Sequence, residues 1–248
     1  MGLDSIYAER IAALTSRAEG GETKAMFDLG MLYDLPEKPD APFDLERALH
    51  WYEKAAEAGH AWAQFALGNM HDKAHGTPRN HRAARKWYAA SAEQGVAEAQ
   101  MHLALMLQAG RGGPAEPAEA ALWYERAANG GHELAATHLA LMHLDGSAPQ
   151  ASLPKAVELL EFAADKLDGL AHLVLGDLYV RGMGVDRHGG LALVHYCVAC
   201  ELLAEGPHAE QARTARDDLL ARRPELRDEY EAQARDFIDA RSVPSQDA

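Results

Sequence analysis

Thirteen histidines and one Cys-x-x-Cys pair carry most of the chemical potential of this sequence. Cys197-Val198-Ala199-Cys200 has the spacing of a redox or zinc motif. A redox pair needs its first sulfur at a helix N-terminus, where the dipole lowers the thiol pKa. This pair instead falls inside an apolar helical stretch, and Cys200 takes a slot held elsewhere by alanine. It reads as two packed thiols, with Cys200 buried and slow to react. His71 and His75 are four residues apart, and His138 and His143 are five apart. Neither pair is joined by Glu, Asp or Cys at metal-site spacing, so no metal is expected. Gly110-Arg111-Gly112-Gly113-Pro114 is glycine-rich, but it lacks the Gly-Lys-Ser/Thr ending of a phosphate loop and follows a helix rather than a strand. Asp217 and Asp218 point to different faces of a helix and make a poor acid–base pair. No catalytic residue and no cofactor is expected.

Charge narrows the choice of partners. Asp and Glu number 38 against 24 Lys and Arg, a formal charge of -14 over 248 residues. That argues against nucleic acid and against an anionic membrane surface, both of which attract basic footprints. No apolar run is long enough to span a bilayer, and Asp4, Glu9 and Arg10 interrupt the first segment where a signal peptide would need an apolar core. The reading is a cytoplasmic protein without membrane insertion. Two cysteines exclude a disulfide scaffold.

Self-comparison supplies the elements that hold these residues. WYEKAAEAG starts at Trp51, WYAASAEQG at Trp87 and WYERAANGG at Trp123, each 36 residues after the last, and the same step reaches Leu159 and His195. A second phrase runs in register: AMFDLGMLY from Ala25, then copies from Ala63, Ala99, Ala135 and Ala171. The first step is two residues longer, and the extra length falls in the turn from Pro36 to Pro42. Each copy holds two apolar-periodic segments around a Gly- or Pro-bearing turn, so the unit is a helical hairpin. Counting the first alanine as slot one, slot three is Phe, Met, Thr or Leu, slot five is Leu and slot six is Gly or Ala. Gly30, Gly68 and Gly176 in slot six suggest that a neighbouring helix backbone comes close. The Trp-Tyr pair is expected to wedge against small residues next door, with Trp87 a large repeat–repeat contact. Glycine at 59, 95 or 130 is placed to end the second helix.

These phrases resemble the Sel1-like repeat, a relative of the tetratricopeptide repeat. Its pattern runs from an alanine and an aromatic through Leu-Gly and Tyr to a glycine-bearing turn, then Ala, Trp-Tyr and Ala-Ala. Gly182-Met183-Gly184-Val185 is the turn most similar to the family's. The resemblance implies an all-α fold, a right-handed α–α superhelical solenoid of helical hairpins that serves as a protein-binding scaffold or adaptor. The expected organisation is an N-terminal helical half-repeat cap over 1–20 and five repeats over 21–206. Their approximate bounds are 21–58, 59–94, 95–130, 131–166 and 167–206. C-terminal capping helices and a short tail over 207–248 complete the chain. Ile6, Ile11, Ala12 and Leu14 mark the apolar side of the N-terminal cap.

Slots four and seven lie one helical turn apart and face away from the core stripe. Across the copies they read Asp28/Met31, Ala66/Asn69, His102/Leu105, His138/Leu141 and Val174/Asp177. His102, Leu105, His138 and Leu141 form a semi-apolar middle, flanked by polar Asn69 and Asp177. These six residues are the candidate partner-binding set on the concave face, for a protein or peptide with an apolar segment between basic residues. The alternative for Leu105 and Leu141 is a place in the core. Two other functions stay open: a regulatory, chaperone-like or immunity subunit for a bacterial effector or secretion-associated protein, and a hydrolase on a repeat scaffold. The last resembles a rarer use of such repeats that usually requires many disulfides, and two cysteines argue against that version.

Overall fold

The computed structural model describes residues 3–34, 44–221 and 224–242. The turn from Pro36 to Pro42, the side chain of Ile6 and the tail after Ser242 lie outside the described residues. All regular structure is helical among the described residues, arranged as antiparallel pairs in the manner of an α-solenoid. Helix α1 spans Leu3–Glu19 and precedes the pairs α2 (Thr23–Asp34) with α3 (Leu45–Glu57) and α4 (Ala61–Lys73) with α5 (His81–Glu93). Then come α6 (Ala97–Ala109) with α7 (Pro117–Asn129), α8 (Glu133–Asp145) with α9 (Leu153–Asp165), and α10 (Gly169–Arg181) with α11 (Gly189–Leu202). Helix α12 (Pro207–Leu220), a 3-10 turn at Pro224–Leu226 and α13 (Arg227–Ser242) end the described chain. The chain divides into two compact units, residues 1–127 and 128–248.

The repeat register is a burial register. Slot-one Ala25, Ala63, Ala99, Ala135 and Ala171 and slot-five Leu29, Leu67, Leu103, Leu139 and Leu175 are all buried. Second helices start on side-chain caps: Asp44, Asn80 and Ser152 each accept from the backbone N–H three residues on. Slot two staples neighbouring hairpins. Gln64 Nε2 donates to the Ala56 carbonyl and Gln100 Nε2 to the Ala92 carbonyl, each at 3.1 Å. His172 occupies the same slot and reaches the Ala164 carbonyl at 3.1 Å.

Three sequence expectations change in detail. The slot-six glycines face a ring rather than a backbone: a Cβ on Gly68 would lie 2.5 Å from the Tyr88 ring, and Gly30 and Gly176 face Tyr52 and Tyr196 in the same way. Tyrosine, more than tryptophan, is therefore the wedge of these three hairpins. Tyr88 is fully buried, while Trp87 beside it is only half-buried. In the third copy Gly131, not Gly130, takes the left-handed conformation that ends the helix, in register with Gly59 and Gly95.

The glycine-rich run 110–114 is structural. Gly112 sits at φ +77° against the backbone carbonyl of His81, too close for any side chain. Arg85 fixes the same turn through the Pro114 carbonyl at 3.1 Å and the Glu116 carboxylate at 2.5 Å. At the N-terminal end Leu14 and Ala18 of α1 are buried against the first pair, while Ala12 is exposed. At the other end α12 and α13 cover α11, burying Cys197, Val198 and Leu193 with Leu220 and Ala234.

Candidate functional site

Residues 1–127 contain an open, largely apolar pocket of about 320 Å³ between the first two helical pairs. Phe27 and Met31 come from α2, Tyr52 from α3, and Trp62, Phe65 and Asn69 from α4. Helical spacing explains the convergence: Trp62, Phe65 and Asn69 follow at three and four residues and share one helix face. Trp62 is 45% exposed and Met31 42% exposed, which leaves two large apolar side chains in water on one pocket. The Trp62 and Phe65 rings meet edge to face at 5.8 Å. The polar end is Asp34, whose carboxylate accepts from the Tyr52 hydroxyl at 3.3 Å and pairs with His75 Nε2 at 2.7 Å. Lys73 stands on the rim.

Of the six candidate binding residues, Asn69 lines this pocket. It also serves the hairpin, because its Oδ1 accepts from the Tyr88 hydroxyl at 2.9 Å. Asp177 has the same role in the other unit, accepting from Tyr196 at 2.6 Å. A register rule emerges. Where slot seven is apolar, at Met31 and Leu105, the tyrosine hydroxyl turns one helical turn further to slot ten, to Asp34 from Tyr52 and to Gln108 from Tyr124. In the fourth copy the tyrosine is replaced by Leu160, and slots seven and ten are both leucine, Leu141 and Leu144. A buried hydroxyl needs an acceptor, and the copy without the hydroxyl carries none.

His102 is half-buried, stacked on Tyr88 with centroids 5.1 Å apart and 5.6 Å from the Phe65 ring. It thus borders the pocket through Phe65. Leu105 is half-buried in the same unit, and His138 and Leu141 are half-buried in the unit 128–248. Neither leucine is a fully buried core residue. Burial holds the His138 imidazole below its ordinary pKa. Trp62 is the functional candidate that the repeat pattern hides, since its slot holds Lys24, Glu98, Leu134 and Leu170 in the other copies. A tryptophan at a slot that is charged in the first and third copies is its one available signal in the sequence.

The other potentially reactive groups are locked into packing. Cys197 and Cys200 are free thiols within α11. Burial pushes the Cys197 thiol up to about 12 and raises Cys200 as well. The slot argument assigned the deeper position to Cys200, yet Cys197 is the buried one, because α12 and α13 cover the outer face of this helix. No three His, Cys, Asp or Glu side chains gather as a metal site among the described residues. His172 and His195 pair through their Nδ1 atoms at 2.9 Å, under the edge of Phe237 and against Tyr179. The Ala164 carbonyl requires hydrogen on His172 Nε2, so the hydrogen between the Nδ1 atoms belongs to His195. Burial pulls both imidazoles down to about 4.

Paired helices in 36-residue register, with an alanine–leucine core and tyrosine wedges, define a tetratricopeptide-like repeat protein. The Sel1 repeat pattern matches residues 23–60, 63–96, 97–132 and 134–166, more than half of the chain, and the chain belongs to the Sel1 repeat family. It is 31% identical to a Sel1 repeat protein from Oxalobacter formigenes whose crystal structure superposes with a TM-score of 0.72, covering 79% of this chain and 82% of that one. It is also similar, at 28% identity and a TM-score of 0.72, to c5321, a protective antigen of uropathogenic Escherichia coli strains. That match covers 77% of this chain but spans only 40% of the antigen's length. No functionally curated protein matches. The fold and family are typical of protein–protein interaction scaffolds. No described helix is long and apolar enough to cross a membrane.

Proposed function

We propose that this protein is a non-catalytic adaptor that captures a protein or peptide partner on the slot-four and slot-seven face of its first helices. The observation that carries this reading is the pocket in residues 1–127, where Trp62 and Met31 remain in water beside Phe27 and Phe65. Large apolar groups clustered in the open are a common mark of a binding surface. His102 and Leu105 extend the surface within that unit, and His138, Leu141 and Asp177 are its counterparts in residues 128–248. The pair α10 and α11, beyond the last family match, is proposed as a fifth repeat on the strength of its Tyr196–Gly176 contact. Helices α1, α12 and α13 act as terminal caps.

The test is affinity capture with crosslinking from the native organism, using wild type and the Leu105→Asp/Leu141→Asp variant. Both leucines are only half-buried, so the variant is expected to keep its helical circular dichroism and lose the partner. Each carboxylate would enter an apolar contact unpaired. Undiminished capture by a folded variant would place the interface elsewhere.

A further inference from the structure

We infer that the pocket between α2, α3 and α4 reads a short peptide element, a bulky apolar side chain with an adjacent arginine or lysine. The inference rests on the protein-binding reading and adds the chemistry of the partner. Trp62 is the first observation. Other copies hold Lys24, Glu98, Leu134 and Leu170 at this slot, so the hairpin folds without an aromatic ring there. Its ring stands edge to face with Phe65, and Met31 faces the same space from α2. At about 320 Å³ the pocket has room for one or two side chains and is at the low end of the range for small-molecule sites, about 300–1,000 Å³. An apolar anchor on a peptide matches both its size and its lining.

The second observation is Asp34. Each of its oxygens already has one partner, Tyr52 on one and His75 on the other, and this orients the carboxylate at the edge of an apolar floor. A carboxylate oxygen accepts more than one hydrogen bond, so Asp34 can still receive a guanidinium or ammonium group. The His75 contact joins residues 41 apart in sequence and ties the turn after α4 to the end of α2, so Asp34 is held before any ligand arrives. Charge beyond the pocket has the same sign. Residues 1–60 carry 12 acids against 6 bases, within a chain of net charge -14. A basic residue beside the anchor would be drawn toward this end, and an acidic one repelled. The opposing feature is Lys73 on the rim, which would favour an acidic flank. Lys73 is exposed on a flexible stem, whereas the Asp34 side chain is 17% exposed and fixed by two bonds. The fixed charge in the less solvated place dominates recognition.

The experiment is selection of a random phage-displayed peptide library on the intact protein. Fluorescence anisotropy then follows with labelled peptides in which one Phe is flanked by Arg, Ser or Glu. Enrichment of an apolar residue next to Arg or Lys is expected, with the Arg-flanked probe at least tenfold tighter than the Glu-flanked one. Asp34→Asn should bring the Arg and Ser probes within about twofold of each other. Trp62→Ala and, independently, Met31→Glu should abolish binding of all probes with circular dichroism unchanged, since both side chains are exposed. A preference for Glu flanks, or binding insensitive to both pocket variants, overturns the inference. An absence of any enriched motif also overturns it; if the intact chain still captures a native partner, the adaptor reading survives that loss.

Discussion

Acid should loosen residues 128–248 through one pair of side chains. Buried His172 and half-buried His195 share a single hydrogen between their Nδ1 atoms, which are 2.9 Å apart. A second proton there would leave two N–H donors facing each other, with Phe237 and Tyr179 packed around them. Burial is the main cause that lowers both folded pKa values to about 4, against 6.5 for the free side chain. Nearby Asp168 and Asp165 favour the charged form of His172 and Arg241 opposes it, but none of them offsets burial. The unfolded chain therefore binds protons first. Stability is complete above about pH 6.5 and falls with decreasing pH until the folded values near 4 are passed. At pH 5 the deficit is about 1.5 pH units times 1.36 kcal/mol, roughly 2 kcal/mol for the first proton. Two imidazoles in contact titrate as a pair; like charges repel, so the folded chain takes the second proton no more readily than the first, and the two together can cost up to about 4 kcal/mol at pH 5.

The informative variant is His172→Gln/His195→Leu. Both replacements are taken from other copies of the same repeat: Gln64 and Gln100 hold slot two, and Leu159 holds the slot of His195. Gln can keep the staple to the Ala164 carbonyl. Urea unfolding of both proteins at pH 7.5 and pH 5.0 should show a loss about 2–4 kcal/mol larger in wild type. Equal losses in the two proteins would refute the buried neutral pair.

Gly112→Ala should destabilise by about 2–4 kcal/mol, because it combines a left-handed φ with a collision against the His81 carbonyl; thermal melting checks it. Ala74 takes φ 59° at the end of α4, where Gly110, Gly146 and Gly182 take the same conformation in later copies. Ala74→Gly should therefore raise stability by about 1 kcal/mol in urea unfolding. At pH 8 a thiol displaced to about 12 is thiolate in roughly one molecule in ten thousand, so Cys197 should label with a disulfide reagent only on unfolding.

Repetition made the fold legible. Any residue that recurs every 36 positions must do the same packing work in each hairpin, so the alanine, leucine and Trp-Tyr phrases located the helices and their buried stripe. The same logic hid Trp62, because comparison between copies discounts a residue found in only one of them. It also left Asn69 and Asp177 looking like free polar groups, since their tyrosine partners lie 19 residues on, across the hairpin. With the slot-ten alternatives Asp34 and Gln108 known, the pairing is visible in the sequence itself. Cys197 was misjudged for another reason. Its slot holds Glu53, Ala89, Glu125 and Glu161 in the other copies, and the covering by α12 and α13 buries it here. The apolar character of α11 on all sides was the available warning.

Site-specific photocrosslinking tests the central claim most directly. A photoreactive phenylalanine analogue in place of Trp62 is compared with one in place of Leu191, which is also exposed but lies in α11. The account predicts that position 62 crosslinks a partner protein through a segment bearing a bulky apolar residue beside Arg or Lys, and that position 191 does not. Crosslinks to the partner from position 191 with none from position 62 would contradict it.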